Sequence, residues 1–460
     1  MDEASLALNI LKLNYKELLS PLFNGQAAPP FFLLLTKLST KIAGYSEYVL
    51  RFIPFFSGII ALILFYPLAR NFLSKKTVPI AMVLFAFSNS AIYYSVEFKQ
   101  YSVDLLFSVI ILLFAIKVVK SNYIIRDCII LGMIGILSTW MSHYSIFILA
   151  GIGLSFIFDV MIINGKIDRR MINYHNMKKI IVIGILWASS FLLHYLLILR
   201  FIPKEHFYKY WANYFVPFPP IKFEDFRWYV IHVFEIIQNP LGLGMFKGFV
   251  LVALIFGIYK FWNRENKTYL YFLCFPIITV IIASIFNYYP LYERLILFTI
   301  PIFYILIAEG TCQFFDIFSN QKKHFAIIFI VLLLIHPIAS GARHLVIPVL
   351  TEEIKPVIEY CIENKEEKDK IYVYYGAKNA FEYYTFNKNV MFLSLGNENR
   401  EKPQIYLSEL DRFKGEGKIW FIFSHIYHDE EKIFLVYLDH IGHKIDSFKE
   451  SGASVYLYNL

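Results

Sequence analysis

The first residues of the chain that could carry out chemistry are the adjacent carboxylates of Asp2 and Glu3. A carboxylate here could act as the base that removes a proton from an attacking hydroxyl or amine. Acidic residues at the start of a helix also complement the helix dipole and its unpaired amide groups. The pair therefore has two interpretations, a catalytic base and a helix-start charge.

A second polar cluster lies between two apolar runs and contains Tyr94, Glu97, Lys99 and Tyr101. In a helix, the three- and four-residue spacing of Tyr94, Glu97 and Tyr101 would place these side chains on one face. Lys99 would then point elsewhere and could bind an anion. The alternative is a band of interfacial tyrosines with a Glu–Lys pair that faces water.

A third cluster ends in Tyr292, Glu293 and Arg294, directly before another apolar run. The planar guanidinium group of Arg294 could grip a phosphate with two parallel hydrogen bonds. The alternative is an arginine that pairs with Glu293 or extends to the lipid headgroups. Phosphate binding and headgroup contact both require that this cluster lies at the membrane surface.

The histidines and cysteines give a weaker signal. His143 falls in a predicted turn between two apolar runs, where a single histidine is more often structural than catalytic. His194, His336 and His344 form no set with metal-ligand spacing, and the four cysteines form none either. No metal or other cofactor is therefore predicted, although the sequence leaves a divalent metal open.

The elements that must position these residues are membrane helices. The chain has 460 residues, of which 57% are hydrophobic and only 17% are charged, whereas soluble domains contain about a quarter charged residues. The formal net charge of +8 does not indicate nucleic-acid binding, because the basic residues fall mainly in short loops between apolar runs. The bilayer is therefore predicted to be the solvent for most of this chain.

Ten apolar runs are long enough to cross a bilayer as helices. They are predicted at residues 49–73, 77–95, 102–120, 126–142, 143–163, 178–199, 243–262, 268–288, 293–315 and 324–344.

The charges of the loops predict how these helices are oriented. Alternate loops carry groups of lysines and arginines, whereas the short turns on the other side hold only Lys99 and Arg294. Because positive charge favours the cytoplasmic side, the Asp2, Lys99 and Arg294 clusters are all predicted to face the extracytoplasmic side.

Three domains follow from this reading, and the predicted fold class is mainly α. Residues 1–48 are predicted to be an extracytoplasmic loop with interfacial helices, over 2–19 and 31–43, that carries the Asp–Glu pair. Residues 49–344 form a polytopic α-helical membrane bundle of about ten helices. Residues 345–460 alternate strand-like and helical runs, which predicts a small soluble extracytoplasmic α/β domain with a largely parallel sheet.

The order of several short motifs resembles the GT-C membrane glycosyltransferases. It is closest to the bacterial group related to protein O-mannosyltransferases and lipid A aminoarabinose transferases, and it covers nearly the whole chain. The motifs are Asp2-Glu3-Ala4, Gly25-Gln26 with Pro29-Pro30, Gly44 with Glu47 and Arg51, Tyr94-Ser95-x-Glu97-x-Lys99-x-Tyr101, and Glu293-Arg294 before a helix that contains Pro301.

The resemblance implies an inverting glycosyltransferase that moves a sugar from a polyprenyl-phosphate donor to an acceptor protein, lipid or glycan. The implied place of reaction is the outer face of the cell membrane. Asp2 matches the catalytic base of such enzymes and Glu3 its acidic neighbour, while Lys99 and Arg294 match the cations that hold the donor phosphate. The remaining residues of the expected site support these four: Tyr94, Glu97, Tyr101, Tyr292, Glu293 and His143.

Two departures from the family pattern modify this expectation. Relatives have a transmembrane helix before the acidic loop, whereas Asp2 follows Met1 directly, which predicts a late start codon or a truncated chain. Aminoarabinose transferases carry a lysine where this chain has Ala28, which argues against transfer to lipid A.

Two other functions remain as alternatives. A transporter or flippase of lipid-linked saccharides would line a path with charges inside its helices, and the predicted helices are nearly free of them. An O-antigen polymerase or ligase would be expected to concentrate arginines in a large outer loop. In this chain the basic residues of segment 200–242 are few and dispersed.

Overall fold

The computed structural model divides the chain into two compact units. The larger unit is Asn14–Val346, and the smaller unit combines Met1–Leu13 with Ile347–Leu460. The described residues are 2–163, 166–167, 174–202, 204–317, 323–344, 346–347, 350–386, 388, 390, 394–396 and 403–460.

Fifteen helices are described from the start of the chain through the larger unit. They are α1 (Asp2–Lys12), α2 (Pro30–Ala43), α3 (Glu47–Phe72), α4 (Val78–Ala86), α5 (Asn89–Ser95), α6 (Tyr101–Lys120), α7 (Ile125–Met141), α8 (Ser145–Met161), α9 (Tyr174–Leu197), α10 (Lys204–Trp211), α11 (Phe223–Gln238), α12 (Lys247–Trp262), α13 (Thr268–Ile285), α14 (Ile300–Ile317) and α15 (Lys323–Arg343). Short 3-10 helices lie at Glu17–Leu19, Phe23–Gly25, Leu199–Phe201, Ala212–Tyr214, Gly244–Phe246 and Glu293–Thr299. Two short strands, β1 (Ile162–Ile163) and β2 (Lys166–Ile167), pair antiparallel after α8.

Each of the ten predicted runs coincides with helical structure, but three of them are not simple full-length spans. In the described part of the chain, seven helices are long and apolar enough to cross a membrane, or eight if α4 and α5 form one span with a 48° bend. Helices α7 and α8 have 17 residues each, so each is about 26 Å long. The predicted fold class and the multi-pass membrane character are confirmed.

The surface of the bundle has the character that a bilayer requires. Large apolar side chains point outward from the long helices, and Ile63 on α3 and Ile185 on α9 are 63% and 60% exposed. In water such a surface would be costly. Lipid chains would cover these side chains instead.

Glycines allow two membrane helices to pack closely. A Cβ atom at Gly257 of α12 would lie 2.0 Å from the carbonyl oxygen of Leu306, and one at Gly310 of α14 would lie 1.8 Å from that of Ala253. No side chain fits in either place, so α12 and α14 approach each other backbone to backbone, as small residues permit in membranes.

One buried carboxylate in the bundle is compensated by cations. Glu309 on α14 is almost fully buried, and Arg264 donates a hydrogen bond of 2.8 Å to its Oε1 atom. Lys260 Nζ lies 3.8 Å from the same oxygen, and Arg264 also donates to the carbonyl oxygen of Phe72 at 2.8 Å. Because a buried charge is stable only when it is paired, these contacts of Arg264 connect α14 to the end of α3.

The smaller unit contains a five-stranded sheet with helices packed against it. Its strands are β3 (Lys370–Val373), β4 (Ser394–Leu395), β5 (Lys418–Ser424), β6 (His443–Glu450) and β7 (Ala453–Asn459), in the order β4-β3-β5-β7-β6. Its helices are α16 (Ile354–Asn364), α17 (Lys378–Thr385), α18 (Pro403–Leu410) and α19 (Glu430–Ile441), with a 3-10 helix at Asp411–Phe413.

The sheet is mixed, which differs from the largely parallel sheet that the sequence predicts. Strand β3 pairs parallel with β4 and β5, but β7 pairs antiparallel with both β5 and β6. The sequence reading missed β6, because this edge strand is mostly polar and exposed and has no apolar run. Strand β7 follows β6 after the two residues Ser451 and Gly452, so these two strands pair antiparallel.

Helix α1 lies in the smaller unit and packs against α17. Its apolar side chains, among them Leu6, Leu8 and Ile10, are buried by protein, and Asn379 of α17 donates a hydrogen bond of 2.7 Å to the Ser5 hydroxyl. The sequence predicted that this apolar face lies on the membrane. The structure corrects that expectation for residues 2–12, because an amphipathic pattern indicates a buried face without specifying what covers it.

The ion pair of Glu352 and His425 couples the smaller unit to pH. The Glu352 Oε1 atom lies 2.6 Å from Nδ1 of His425. Burial opposes ionisation of Glu352, but the hydrogen bond from His425 and the positive charges near the carboxylate together outweigh it and lower the pKa of Glu352 from 4.5 to about 2. The ionised carboxylate therefore stabilises the folded unit above pH 4.5, and this contribution is lost as the pH falls toward 2.

We expect the Glu352→Gln variant to lose this pH-dependent stability. At pH 4 the smaller unit of the wild type should resist pepsin better than that of the variant, and this advantage should shrink by up to about tenfold per pH unit toward pH 2. The Glu353→Gln variant removes the same charge one position away and serves as the control. A constant ratio of wild-type to variant cleavage rates would contradict the assignment.

Candidate active site

Two segments that are distant in sequence form the core of the candidate site in the larger unit. The first is the turn between α5 and α6, which holds Glu97 and Lys99. The second is the 3-10 helix Glu293–Thr299, which leads directly into α14. Helix α6 packs along this 3-10 helix, so the start of α6 lies beside Arg294.

Tyr94 is the residue around which the two segments meet. The charges of Glu97, Arg294 and Glu293 interact electrostatically with its hydroxyl group. The Tyr101 hydroxyl does so as well. The Tyr94 and Tyr101 rings lie edge to face, with their centroids 5.1 Å apart. The structure thus brings together five of the residues that the sequence singled out.

Lys99 is held in place by the segment that precedes α2. Its side chain is only 8% exposed, and its Nζ atom donates a hydrogen bond of 2.8 Å to Oε1 of Gln26. The neighbouring Phe98 stacks on Phe32 of α2 at 5.8 Å. Because an amide oxygen accepts the hydrogen bond without cancelling the positive charge, the contact orients the ammonium group and leaves it cationic.

The segment around Tyr292 is fixed by the region between α10 and α12. Asn239 donates a hydrogen bond of 3.1 Å to Oε1 of Glu293. The Tyr292 ring packs edge to face on Tyr214 at 4.6 Å and lies 5.1 Å from the ring of Trp211. Burial and the adjacent Glu293 carboxylate raise the pKa of the Tyr292 hydroxyl, so Tyr292 is a neutral hydrogen-bond donor at physiological pH.

His143 has surroundings of another kind. Its ring lies 5.0 Å from that of His194, which stacks in turn on Trp140, and the backbone of Ala28 faces it. Burial, together with His194, lowers the pKa of His143 to about 3. His143 is therefore neutral at physiological pH, and this favours a packing role over charge stabilisation.

The structure adds a carboxylate that the sequence reading missed. Asp104 lies in the first turn of α6 and is 2% exposed, and neither of its oxygens has a hydrogen bond with a described residue. The polar groups that face it are the Ser142 hydroxyl and the phenols of Tyr144 and Tyr289. An aspartate inside an apolar run of 20 residues was a signal for function that the sequence already contained.

Tyr144 connects Asp104 to the cationic side of the site. Its phenol interacts electrostatically with Asp104 and Arg294, and its ring packs edge to face on Tyr289, with the centroids 5.2 Å apart. Asp104 and Arg294 thus have Tyr144 as a common neighbour.

Asp2 and Glu3 belong to the smaller unit, at the start of α1. The side chain of Asp2 lies outside the described residues, and Glu3 is half-buried. Their expected role as catalytic base and acidic neighbour stays a prediction. Among the described residues, no group of three or more His, Cys, Asp and Glu side chains could hold a metal ion.

Residues 27–194 match the family model described as dolichyl-phosphate-mannose-protein mannosyltransferase. This region contains Lys99 and Asp104 but ends before Arg294. No curated protein matches the chain significantly in sequence.

Solved structures match the fold over 99% of the chain. ArnT from Cupriavidus metallidurans, bound to undecaprenyl phosphate, has a TM-score of 0.54 at 10% identity, with 93% of its chain covered. The archaeal oligosaccharyltransferase AglB from Archaeoglobus fulgidus, in complex with an inhibitory peptide and a dolichol-phosphate, has a TM-score of 0.52 at 12% identity, with 70% covered. The apo form of the Archaeoglobus enzyme has a TM-score of 0.54 at 13% identity, also with 70% covered.

These similarities confirm the predicted resemblance to the GT-C membrane glycosyltransferases. The chain has the GT-C fold, and part of its bundle matches the mannosyltransferase family model. At 10–13% identity the solved structures bear on the fold alone.

We expect Asp104 to cost the protein stability, since its carboxyl group is buried with too few hydrogen-bond donors around it to replace its hydration. The Asp104→Asn variant removes the ionisable group at nearly constant volume and should stabilise the bundle by about 1–2 kcal/mol. The measurement is the thermal unfolding midpoint of the purified protein in detergent.

Asp159→Asn is the matched control for this variant. The carboxylate of Asp159 accepts a hydrogen bond of 2.6 Å from Tyr123 and another from Thr268, so its replacement should lower the midpoint. A lower midpoint for Asp104→Asn as well would show that Asp104 stabilises the fold and would contradict the assignment.

Proposed function

We propose that this protein transfers a sugar from a polyprenyl-phosphate donor to an acceptor at the extracytoplasmic face of the membrane, with inversion at the anomeric carbon. The observation that carries the proposal is the cluster of Glu97, Glu293 and Arg294 around Tyr94, beside the buried cation of Lys99. The ArnT and AglB structures with a similar fold contain undecaprenyl phosphate and dolichol-phosphate. Their ligands support a lipid phosphate as the donor.

The proposed reaction is a direct displacement at the anomeric carbon. The acceptor hydroxyl or amine attacks this carbon, its proton passes to the carboxylate of Asp2, and the bond to the phosphate oxygen breaks. Polyprenyl phosphate leaves from the face opposite the attack, so the configuration inverts. Lys99 and Arg294 stabilise the negative charge that develops on the phosphate oxygen as this bond breaks.

The remaining residues of the site surround the cations of Lys99 and Arg294. Tyr94, Tyr101 and Tyr292 offer hydroxyl groups that can hydrogen-bond to the sugar or the phosphate. Glu97 and Glu293 share the surroundings of Tyr94 with Arg294 and so lower the net positive charge beside the phosphate.

We expect Lys99→Ala and Arg294→Ala to weaken donor binding. A charge-assisted contact to phosphate contributes about 1.5–3 kcal/mol, so each variant should bind the polyprenyl-phosphate sugar about 10- to 150-fold more weakly. Arg200→Ala is the control, because Arg200 also follows a long membrane helix but packs on Phe201, with 4.5 Å from its guanidinium carbon to the ring centroid. Equal donor affinity in all three variants would contradict the phosphate site.

We expect Asp2→Asn to abolish turnover without changing donor binding. Loss of a general base lowers the rate by about 10²–10⁴-fold, and the amide cannot accept the proton. The assay follows transfer of radiolabelled sugar from the donor lipid in vesicles, with donor affinity measured in parallel. Unchanged turnover would rule out Asp2 as the base.

The same assay separates the proposal from its alternatives. A transporter or flippase would move the lipid-linked saccharide between leaflets and leave the sugar–phosphate bond intact. An O-antigen polymerase or ligase would release the carrier only on transfer of a whole oligosaccharide. Release of polyprenyl phosphate from a donor that carries a single sugar favours the glycosyltransferase.

A further inference from the structure

A cavity in the larger unit lies at the end of α6 that is remote from the candidate active site. Helix α6 runs for 20 residues from Tyr101, beside the active-site turn, to Lys120, a distance of about 30 Å. This length matches the hydrocarbon thickness of a bilayer. The cavity of about 330 Å³ at the Lys120 end therefore opens at the opposite membrane face.

The lining of the cavity changes from apolar to cationic along the helix. Leu113 and Phe114 lie one to two turns before Lys117 and Lys120, and all four side chains line the cavity. From Leu113 to Lys120 the helix rises about 10 Å. A ligand that fills this cavity thus contacts apolar side chains at membrane depth and two ammonium groups at the surface. This order matches the acyl chains and the phosphate group of a phospholipid.

The charges around the cavity select an anion. Lys117 Nζ lies 3.4 Å from Asp127, and Arg126 Nε lies 3.5 Å from the same carboxylate. Lys120 donates its hydrogen bond to the neutral amide oxygen of Asn71 on α3. Three cations and one carboxylate leave a net charge of +2 at this edge of the bundle, so a phosphate group would be attracted.

The lysines are also accessible. The side chain of Lys117 is 48% exposed, and its Nζ atom lies 5.6 Å from the centre of the Phe114 ring. Lys120 is exposed as well. An incoming phosphate can therefore reach both ammonium groups from the headgroup layer without any movement of α3 or α6.

We infer that this cavity binds an anionic phospholipid of the leaflet opposite the candidate active site. The phosphodiester group lies between Lys117 and Lys120, and the upper part of an acyl chain lies along Leu113 and Phe114. Basic cavities between membrane helices recognise anionic headgroups by this combination of charge and apolar depth. The site does not depend on sugar transfer and holds no residue of the proposed reaction.

Native mass spectrometry of the full chain in detergent tests the inference with defined lipids. Phosphatidylglycerol should remain bound, whereas phosphatidylcholine, which has the same acyl chains and no net charge, should dissociate. Each lysine contributes about a fivefold preference, so the Lys117→Gln/Lys120→Gln variant should bind phosphatidylglycerol about 25-fold more weakly.

Two matched variants keep the test specific. Lys75→Gln/Lys76→Gln removes the same charge from the exposed loop between α3 and α4, outside the cavity lining, and should leave binding unchanged. Lys117→Arg/Lys120→Arg preserves both charges and should preserve binding. Equal losses in both glutamine variants, or equal retention of the two lipids, would overturn the inference.

A competition experiment identifies the source of the phosphate group. Inorganic phosphate at millimolar concentration should not displace phosphatidylglycerol, because it lacks the acyl chains that Leu113 and Phe114 contact. Displacement by inorganic phosphate alone would overturn the assignment to a lipid and indicate a site for small anions. Turnover by the Lys117→Gln/Lys120→Gln variant shows separately whether the proposed reaction is intact.

Discussion

An ionisable side chain at membrane depth is tolerated only where the protein supplies partners for it, and this constraint organises the bundle. At one membrane face, Glu309 is held by Arg264 and Lys260 and joins α14 to the end of α3. At the other face, Arg294 shares the surroundings of Tyr94 with Glu97 and Glu293. The charges at the first face stabilise the packing of α14 near α3. Those at the second face belong to the candidate active site.

Helix α6 connects these two environments. Its first turn carries Tyr101 and Asp104 on the side of the candidate active site, and its last turn carries Lys117 and Lys120 on the other. A single helix of about 30 Å thus presents the candidate active site at one end and a cationic cavity at the other. At each end, a hydrogen bond to an amide oxygen holds a lysine near the lipid headgroups: Lys99 to Gln26 and Lys120 to Asn71.

The sequence by itself determined the helices and the residues worth examining. Long apolar runs predict membrane spans because an unpaired backbone cannot exist in lipid, and all ten runs coincide with helical structure. The Tyr94 and Arg294 clusters stood out because each places ionisable groups directly at the end of an apolar run, where polar groups at membrane depth are costly. Asp104 could have been found in the same way, as an acidic residue inside a predicted span.

Only the tertiary structure decided which of these features come together and what covers each surface. Tyr94 and Arg294 are separated by 200 positions, and their proximity depends on how α6 packs along the 3-10 helix before α14. The apolar face of α1 is buried on α17, although its pattern also fits a membrane surface. The periodicity of the apolar residues indicates which side chains are shielded from water. The long-range packing of the chain determines whether protein or lipid shields them.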